Sequence, residues 1–132
     1  MIGLDTNILL RYLTKDDTAQ TGLVYELIDD GIIKGEIFYI NTIVVCEIIW
    51  VLSRIYKFSK SQIVTVLEAL LDTDGLIIHE EDSVAESVEI YRNSKMDFSD
   101  ILIAVTNRNA GVSYTATFDK KAAALKDFNI LE

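Results

Sequence analysis

The stretch MIGLDTNILLRYL (residues 1–13) opens the chain, and in it a short apolar run ends at a carboxylate before a second apolar stretch begins. Residues 1–5 predict a short buried strand that ends at Asp5. From residue 6 onward the apolar residues recur at the spacing of one helix face, which predicts a helix over residues 6–14. Asp5 is therefore expected where a strand ends and a helix starts, and its chemistry depends on which other acidic residues reach that point.

The composition indicates one globular domain over residues 1–132. Half of the residues are hydrophobic and a quarter are charged, and a chain of this length can bury roughly two-thirds of its unfolded surface. A single cysteine, Cys46, excludes an internal disulfide, and with a single histidine, His79, it leaves no thiolate cluster or nitrogen-rich metal site. Any metal site must therefore be built from carboxylates, which favour hard ions such as Mg²⁺ and Mn²⁺.

The hydropathy pattern indicates where the protein is located, and the net charge limits which partners it can bind. No apolar stretch reaches the roughly 20 residues of a membrane span, and the N-terminus lacks the basic flank and cleavage site of a signal peptide, so we expect a cytoplasmic protein with no membrane contact. The formal net charge of −9 at first argues against a nucleic-acid partner. Two interpretations stay open: acids on exposed faces that favour solubility, or acids that converge in one pocket and hold cations.

Strand patterns alternate with helix patterns along a chain that contains no proline. The pattern predicts strands over residues 1–5, 36–41, 75–80, 113–119 and 128–132. It predicts helices over residues 6–14, 16–33, 42–57, 59–73, 81–95, 97–111 and 120–127. Leu23, Leu27 and Ile28 share the predicted face of the second helix, and Ser59 with Gln62 matches a capping box. This alternation implies βαβ units and a parallel sheet in a three-layer α/β fold.

Five acidic residues lie at positions that suit a site. Asp5 and Asp119 end predicted strands, and Asp97 and Asp100 flank the start of a predicted helix. Each of these four has a structural alternative as a helix cap or a first-turn acid. Glu47 lies within an apolar helix with no Lys or Arg three or four residues away, so its charge requires solvent, a distant cation or a metal.

The positions of these acids together indicate metal-assisted chemistry. In open parallel sheets, ligands bind beyond the carboxyl ends of the strands, so Asp5 and Asp119 are expected at one edge, with Asp100 and Glu47 reaching it. At an effective dielectric constant of about 20, carboxylates a few ångströms apart repel by several kcal/mol per pair. Such a cluster needs divalent cations or raised pKa values, and a bound Mg²⁺ suits phosphoryl chemistry.

Four segments, taken in order, resemble a known family. GLDTNILLRYL, the Glu in VVCEIIWVL, DFSDILIA and TATFDKKA together resemble PIN domains and, among these, the VapC-like toxins of bacterial and archaeal toxin–antitoxin pairs. The resemblance implies an α/β/α sandwich with a central four- or five-stranded parallel sheet, and a Mg²⁺- or Mn²⁺-dependent endoribonuclease. It further implies an RNA substrate, a homodimer, and an antitoxin that inserts a basic side chain into the acid pocket.

The resemblance also assigns roles by position. Asp5, Glu47 and Asp100 match the three family acids, and Asp119 matches a fourth, more variable one; all four are expected to be catalytic and to bind the metal. The expected supporting residues are polar neighbours of these acids: Thr6, Asn7, Asp97 and Thr117. Thr6 and Asn7 would orient the site next to Asp5, and Asp97 is expected to support the site or cap a helix. Lys120 and Lys121 directly follow Asp119 and are the best-placed contacts for RNA phosphates.

The sequence also contains a cluster of apolar and aromatic residues near residues 50–58, and three other functions are compatible with acids at strand ends. Trp50, Ile55, Tyr56 and Phe58 form either a homodimer surface, where aromatic residues are enriched, or part of the core. A haloacid dehalogenase-type phosphatase would need a second Asp where the chain has Asn7, and a phospho-receiver domain would need an acidic pair near the first strand. A non-catalytic PIN-like RNA-binding module is expected to have lost acids that this chain keeps.

Overall fold

Short parallel strands alternate with helices in the computed structural model, which describes residues 1–15 and 18–132. The strands are β1 (Ile2–Leu4), β2 (Phe38–Ile40), β3 (Leu76–Ile78), β4 (Thr115–Thr117) and β5 (Phe128–Ile130). The helices are α1 (Thr6–Thr14), α2 (Thr18–Ile33), α3 (Thr42–Arg54), α4 (Lys60–Asp72), α5 (Glu81–Arg92) and α6 (Phe98–Asn109), with a 3-10 helix at Ala122–Ala124. The chain divides into two compact units, Met1–His79 and Glu80–Glu132.

The first unit contains a three-stranded parallel sheet in the order β1-β2-β3. Its register aligns Gly3 with Tyr39 and Tyr39 with Ile77. Parallel neighbours need long crossovers, which the helix pairs α1–α2 and α3–α4 supply. Phe38 and Ile40 are fully buried, so the central strand anchors this core. Because all three strands run the same way, their carboxyl ends meet at one edge, and Asp5 directly follows β1 there.

The second unit pairs α5 with α6 and adds the two-stranded parallel sheet β4-β5. Its core cluster includes Ile101 and Val105 from α6, together with Phe128 from β5. Arg108 on α6 donates to the carboxylates of Glu86 and Asp127, so it ties α5 and the start of β5 to the same helix. This packing fixes α6, whose first turn carries Asp100.

The predicted fold class is confirmed, because the elements follow the predicted order and every strand pair is parallel. Hydrogen bonds join the strands as a sheet of three and a sheet of two. The predicted capping box is also confirmed: the Gln62 backbone N–H donates to Ser59 Oγ, and the Ser59 N–H donates to Gln62 Oε1. The predicted start of the second helix at Asp16 lies outside the described residues. The single domain over residues 1–132 stays a prediction.

The predicted apolar face of α2 is wrong in part. Ile28 is buried as expected, but Val24 is the residue buried with it, whereas Leu23 and Leu27 are exposed. The cause is a close approach at Gly31: a Cβ atom there would lie 2.7 Å from Cζ of Phe38. Only a glycine allows that contact, and it turns the side of the helix that carries residues 24, 28 and 31 toward the sheet.

Among the residues that the structure describes, no helix is both long and apolar enough to cross a membrane.

Candidate active site

Asp5 lies at the junction between β1 and α1 that the sequence predicts. Its backbone is extended (φ −83°, ψ 173°), and its Oδ1 accepts a hydrogen bond of 3.0 Å from the backbone N–H of Ile8. Asp5 is therefore the N-cap of α1, as the structural interpretation proposes. The cap fixes the carboxylate at the strand end, and a carboxylate has a second oxygen that can accept from another partner.

Glu47 lies on the exposed side of α3. That helix buries Val44, Val45, Ile48, Ile49 and Leu52, so the apolar neighbours of Glu47 in sequence face away from it. The carboxylate of Glu47 is therefore exposed to solvent. Solvent is one of the three environments that the sequence allows for this charge, besides a distant cation and a metal. Thr6 Oγ1 donates a hydrogen bond of 3.1 Å to Glu47 Oε1 across 41 residues of sequence. This contact holds Glu47 beside the residue that directly follows Asp5, while Asn7 is exposed on the same first turn of α1.

In the second unit, Asp97 and Asp100 occupy the start of α6. Asp97 has the extended backbone of an N-cap residue, but its side chain makes no capping hydrogen bond, so the predicted capping role is wrong for this side chain. Asp100 lies in the first turn and is partly buried. Burial raises the pKa of Asp100, and the negative charges of Asp97 and Asp119 raise it further. The three carboxylates therefore act on one another electrostatically.

Asp119 lies two residues after the end of β4, whereas Asp5 directly follows β1. Thr117 Oγ1 accepts from the Asp119 backbone N–H at 3.0 Å, and Asp119 Oδ1 accepts from the Lys121 N–H at 2.9 Å. The Asp119 carbonyl accepts from the Ala123 N–H at 3.1 Å. These bonds close a turn and do not cap the 3-10 helix, because the N-cap of Ala122–Ala124 is Lys121. The capping interpretation is therefore wrong for Asp119, and the turn leaves the side chains of Lys120 and Lys121 exposed.

The predicted site residues divide between the two units. Asp5, Thr6, Asn7 and Glu47 belong to the first, whereas Asp97, Asp100, Thr117, Asp119, Lys120 and Lys121 belong to the second. Over residues 1–15 and 18–132, no group of three or more His, Cys, Asp or Glu side chains is arranged to hold a metal ion. A cavity of about 760 Å³ in the second unit, lined by residues of α5 and α6, contains none of the predicted site residues. The four-carboxylate metal site stays a prediction.

Phe118 is a neighbour of the site that the sequence pattern does not distinguish. It lies between Thr117 and Asp119 and is 80% exposed. An apolar residue at the end of a predicted strand is expected to be buried, so only the structure identifies this ring as exposed.

Comparison with known proteins agrees with the segments that carry the resemblance. The PIN domain family model matches residues 2–127. A "VapC ribonuclease" from Aquifex aeolicus (strain VF5) is 22% identical over 118 residues, which are 89% of this chain and 87% of that protein. The family match includes both compact units and all four predicted acids. The chain therefore belongs to the PIN domain family.

Proposed function

We propose that this protein is a Mg²⁺- or Mn²⁺-dependent endoribonuclease and the toxin of a toxin–antitoxin pair. The likeness to a VapC ribonuclease supports the activity. The observation that carries the proposal is the grouping of Asp97 and Asp100 at the start of α6 with Asp119. Burial raises the pKa of Asp100, and the negative charges of Asp97 and Asp119 raise it further. Acids that repel one another in a folded protein favour a bound cation, which removes the repulsion.

The donor chemistry fits a hard divalent ion. The proposed ligands, Asp5 and Glu47 in the first unit and Asp100 and Asp119 in the second, offer only carboxylate oxygens, which Mg²⁺ and Mn²⁺ prefer. Asp5 and Asp119 each have one oxygen held by a backbone N–H, so their orientations are fixed before any ion binds. A bound ion of this kind lowers the pKa of a water molecule and shields the charge that develops on a phosphodiester.

The side chains around these acids have separate tasks. Thr6 donates a hydrogen bond to one carboxylate oxygen of Glu47. This bond orients the carboxylate and leaves its other oxygen able to bind the metal. Lys120 and Lys121 bind RNA phosphates and offset part of the net charge of −9, and RNA binding weakens as salt rises because bound counterions are released. Asp100 acts in its ionised form, so its raised pKa couples activity to pH.

Metal removal tests the proposal directly. We expect cleavage of RNA to stop in excess EDTA and to return with Mg²⁺ or Mn²⁺. Because the pKa of Asp100 is raised, its protonated form persists to higher pH than in an ordinary Asp, so the metal concentration for half-maximal cleavage should rise as pH falls through that pKa. Metal titrations of cleavage at several pH values measure both effects. Cleavage that continues in EDTA would contradict the proposal, and RNA binding without any cleavage would favour the non-catalytic module.

Thr6 provides a test of how Glu47 is positioned. Thr6→Val removes the hydroxyl that donates to Glu47 while keeping the shape of the side chain, and we expect cleavage to fall by roughly 10- to 100-fold, as for other groups that orient metal ligands. Thr6→Ser keeps the donor and should retain most of the activity. Thr65→Val is the matched control, because the hydroxyl of Thr65 donates to the Ser61 carbonyl within α4. Equal rates for Thr6→Val and wild type would remove this role.

Two partners belong to the proposal. Trp50 and Ile55 are 57% and 63% exposed, and the half-buried rings of Tyr56 and Phe58 pack edge to face at 6.4 Å. These residues support a homodimer surface, because aromatic residues favour interfaces.

The second partner is an antitoxin that places an Arg or Lys among the acids. Such a side chain gains charge-assisted hydrogen bonds with the carboxylates and competes with the metal.

A further inference from the structure

Phe118 has no explanation in the packing of the second unit. A phenylalanine is usually buried, yet this ring is 80% exposed. Single exposed apolar residues are common on protein surfaces, and Ile33 on α2 is 82% exposed, so exposure alone assigns no role. The backbone around Phe118 and the residues beside it decide the question.

Phe118 directly follows β4, at a bend of the chain before Asp119. Side chains alternate between the two faces of a strand: Thr115 and Thr117 are partly buried, and Asn107 Nδ2 donates to Thr115 Oγ1 at 3.0 Å. Phe118 lies in the opposite phase. The Leu131 backbone N–H donates to the Thr117 carbonyl at 2.7 Å, and the Asp119 N–H donates to Thr117 Oγ1. Hydrogen bonds therefore hold the backbone on both sides of Phe118, and the ring between them is exposed to solvent.

The neighbours of the ring are those that a nucleic acid contacts. Asp119, one of the proposed metal ligands, comes next in the chain, and the exposed side chains of Lys120 and Lys121 follow. Proteins that bind single-stranded nucleic acids combine an aromatic ring for a base with cationic groups for the backbone. A protein partner would fit this segment less well, because the buried centre of a protein interface is depleted of charged residues.

We propose that Phe118 stacks on a nucleobase of single-stranded RNA while Lys120 and Lys121 contact its phosphates. The inference rests on the proposed function and adds to it the residue that binds an unpaired base. Stacking on the ring requires a base that is not paired within a duplex. Every base has a π face, so Phe118 contributes affinity for unpaired RNA and little discrimination among bases.

Binding is measured with a fluorescently labelled, random-sequence single-stranded RNA, using Asp100→Asn protein so that the probe stays intact. Removing one base–aromatic stack is expected to weaken binding by about five- to tenfold, so Phe118→Ala should raise Kd by that factor. Phe118→Trp keeps a stacking face and should bind at least as tightly as the Phe118 protein. Ile33→Ala, which truncates an equally exposed apolar residue, should leave Kd unchanged.

Cleavage by the otherwise wild-type protein separates this inference from the proposed function. We expect Phe118→Ala to raise KM by the same factor as Kd with little change in kcat. If wild type cleaves RNA with metal and Phe118→Ala matches it in Kd and KM, the stacking role is overturned while the nuclease stands. If Phe118→Ala instead weakens only binding of the antitoxin, the ring belongs to a protein interface. If wild type cleaves no RNA, the proposed function itself fails.

Discussion

Asp100→Asn is expected to abolish metal-dependent RNA cleavage while the fold stays intact. Losing a metal ligand should cost more than about 100-fold, beyond the 10- to 100-fold typical of groups that only orient one. The folded protein loses nothing by the change, since the pKa of Asp100 is raised by burial and by Asp97 and Asp119. Above that raised pKa, the ionised carboxylate destabilises the metal-free folded state, so Asp100→Asn should raise the free energy of unfolding at neutral pH.

Cleavage assays, circular dichroism and thermal unfolding in EDTA measure these effects. Asp82→Asn is the matched control, because Asp82 also lies in the first turn of a helix, α5. This control variant should cleave RNA at the wild-type rate. Loss of folding in Asp100→Asn would show that Asp100 is structural. A wild-type cleavage rate would exclude Asp100 from the site.

Expression of the chain alone is expected to stop or slow growth of the host cell, and Asp5→Asn should remove this effect. Asparagine caps helices about as well as aspartate, so the variant should keep the hydrogen bond to the Ile8 N–H and fold normally. The change removes only the charge that a metal requires. Growth curves with matched expression levels measure the effect, and toxicity of wild type and Asp5→Asn to the same degree would contradict catalysis as the cause.

Inhibition by the proposed antitoxin provides a second test of the expected toxicity. Co-expression of the antitoxin, expected to be the small DNA-binding product of a neighbouring gene, should restore growth. Because the partner's Arg or Lys would compete with the metal for the acids, excess Mg²⁺ or Mn²⁺ should weaken its inhibition of cleavage by purified protein. Inhibition that does not depend on the metal concentration would place the partner away from the acids.

Local patterns in the sequence predict the order and type of the elements. The capping box of Ser59 and Gln62 and the junction at Asp5 depend on residues three apart or adjacent, so they can be read without the fold. The bond that the Asp119 side chain accepts from the Lys121 N–H is also local, because the two residues are only two positions apart. Asp5, Asp100 and Asp119 are likewise proposed for the site from their positions at predicted strand ends and at a predicted helix start, and Glu47 is proposed from its place within an apolar helix.

Contacts between distant residues required the tertiary structure. The sequence shows Glu47 in an apolar helix but does not show that Thr6, 41 residues away, donates to it. Asp97 sits at a capping position yet makes no cap. Phe118 lies near the end of a predicted strand yet is exposed. In each case the outcome depends on which neighbour occupies the space around a side chain, and periodicity does not specify that neighbour.

The second helix shows the physical reason most clearly. α2 carries apolar residues around much of its circumference, so its pattern allows more than one buried face. The close approach of Gly31 to Phe38 selects the face with Val24 and Ile28 and leaves Leu23 and Leu27 exposed. The sequence by itself determined that this segment is a helix, because helix periodicity is local. Only packing against β2 decided which side of it is buried, because that choice depends on the shape of the partner.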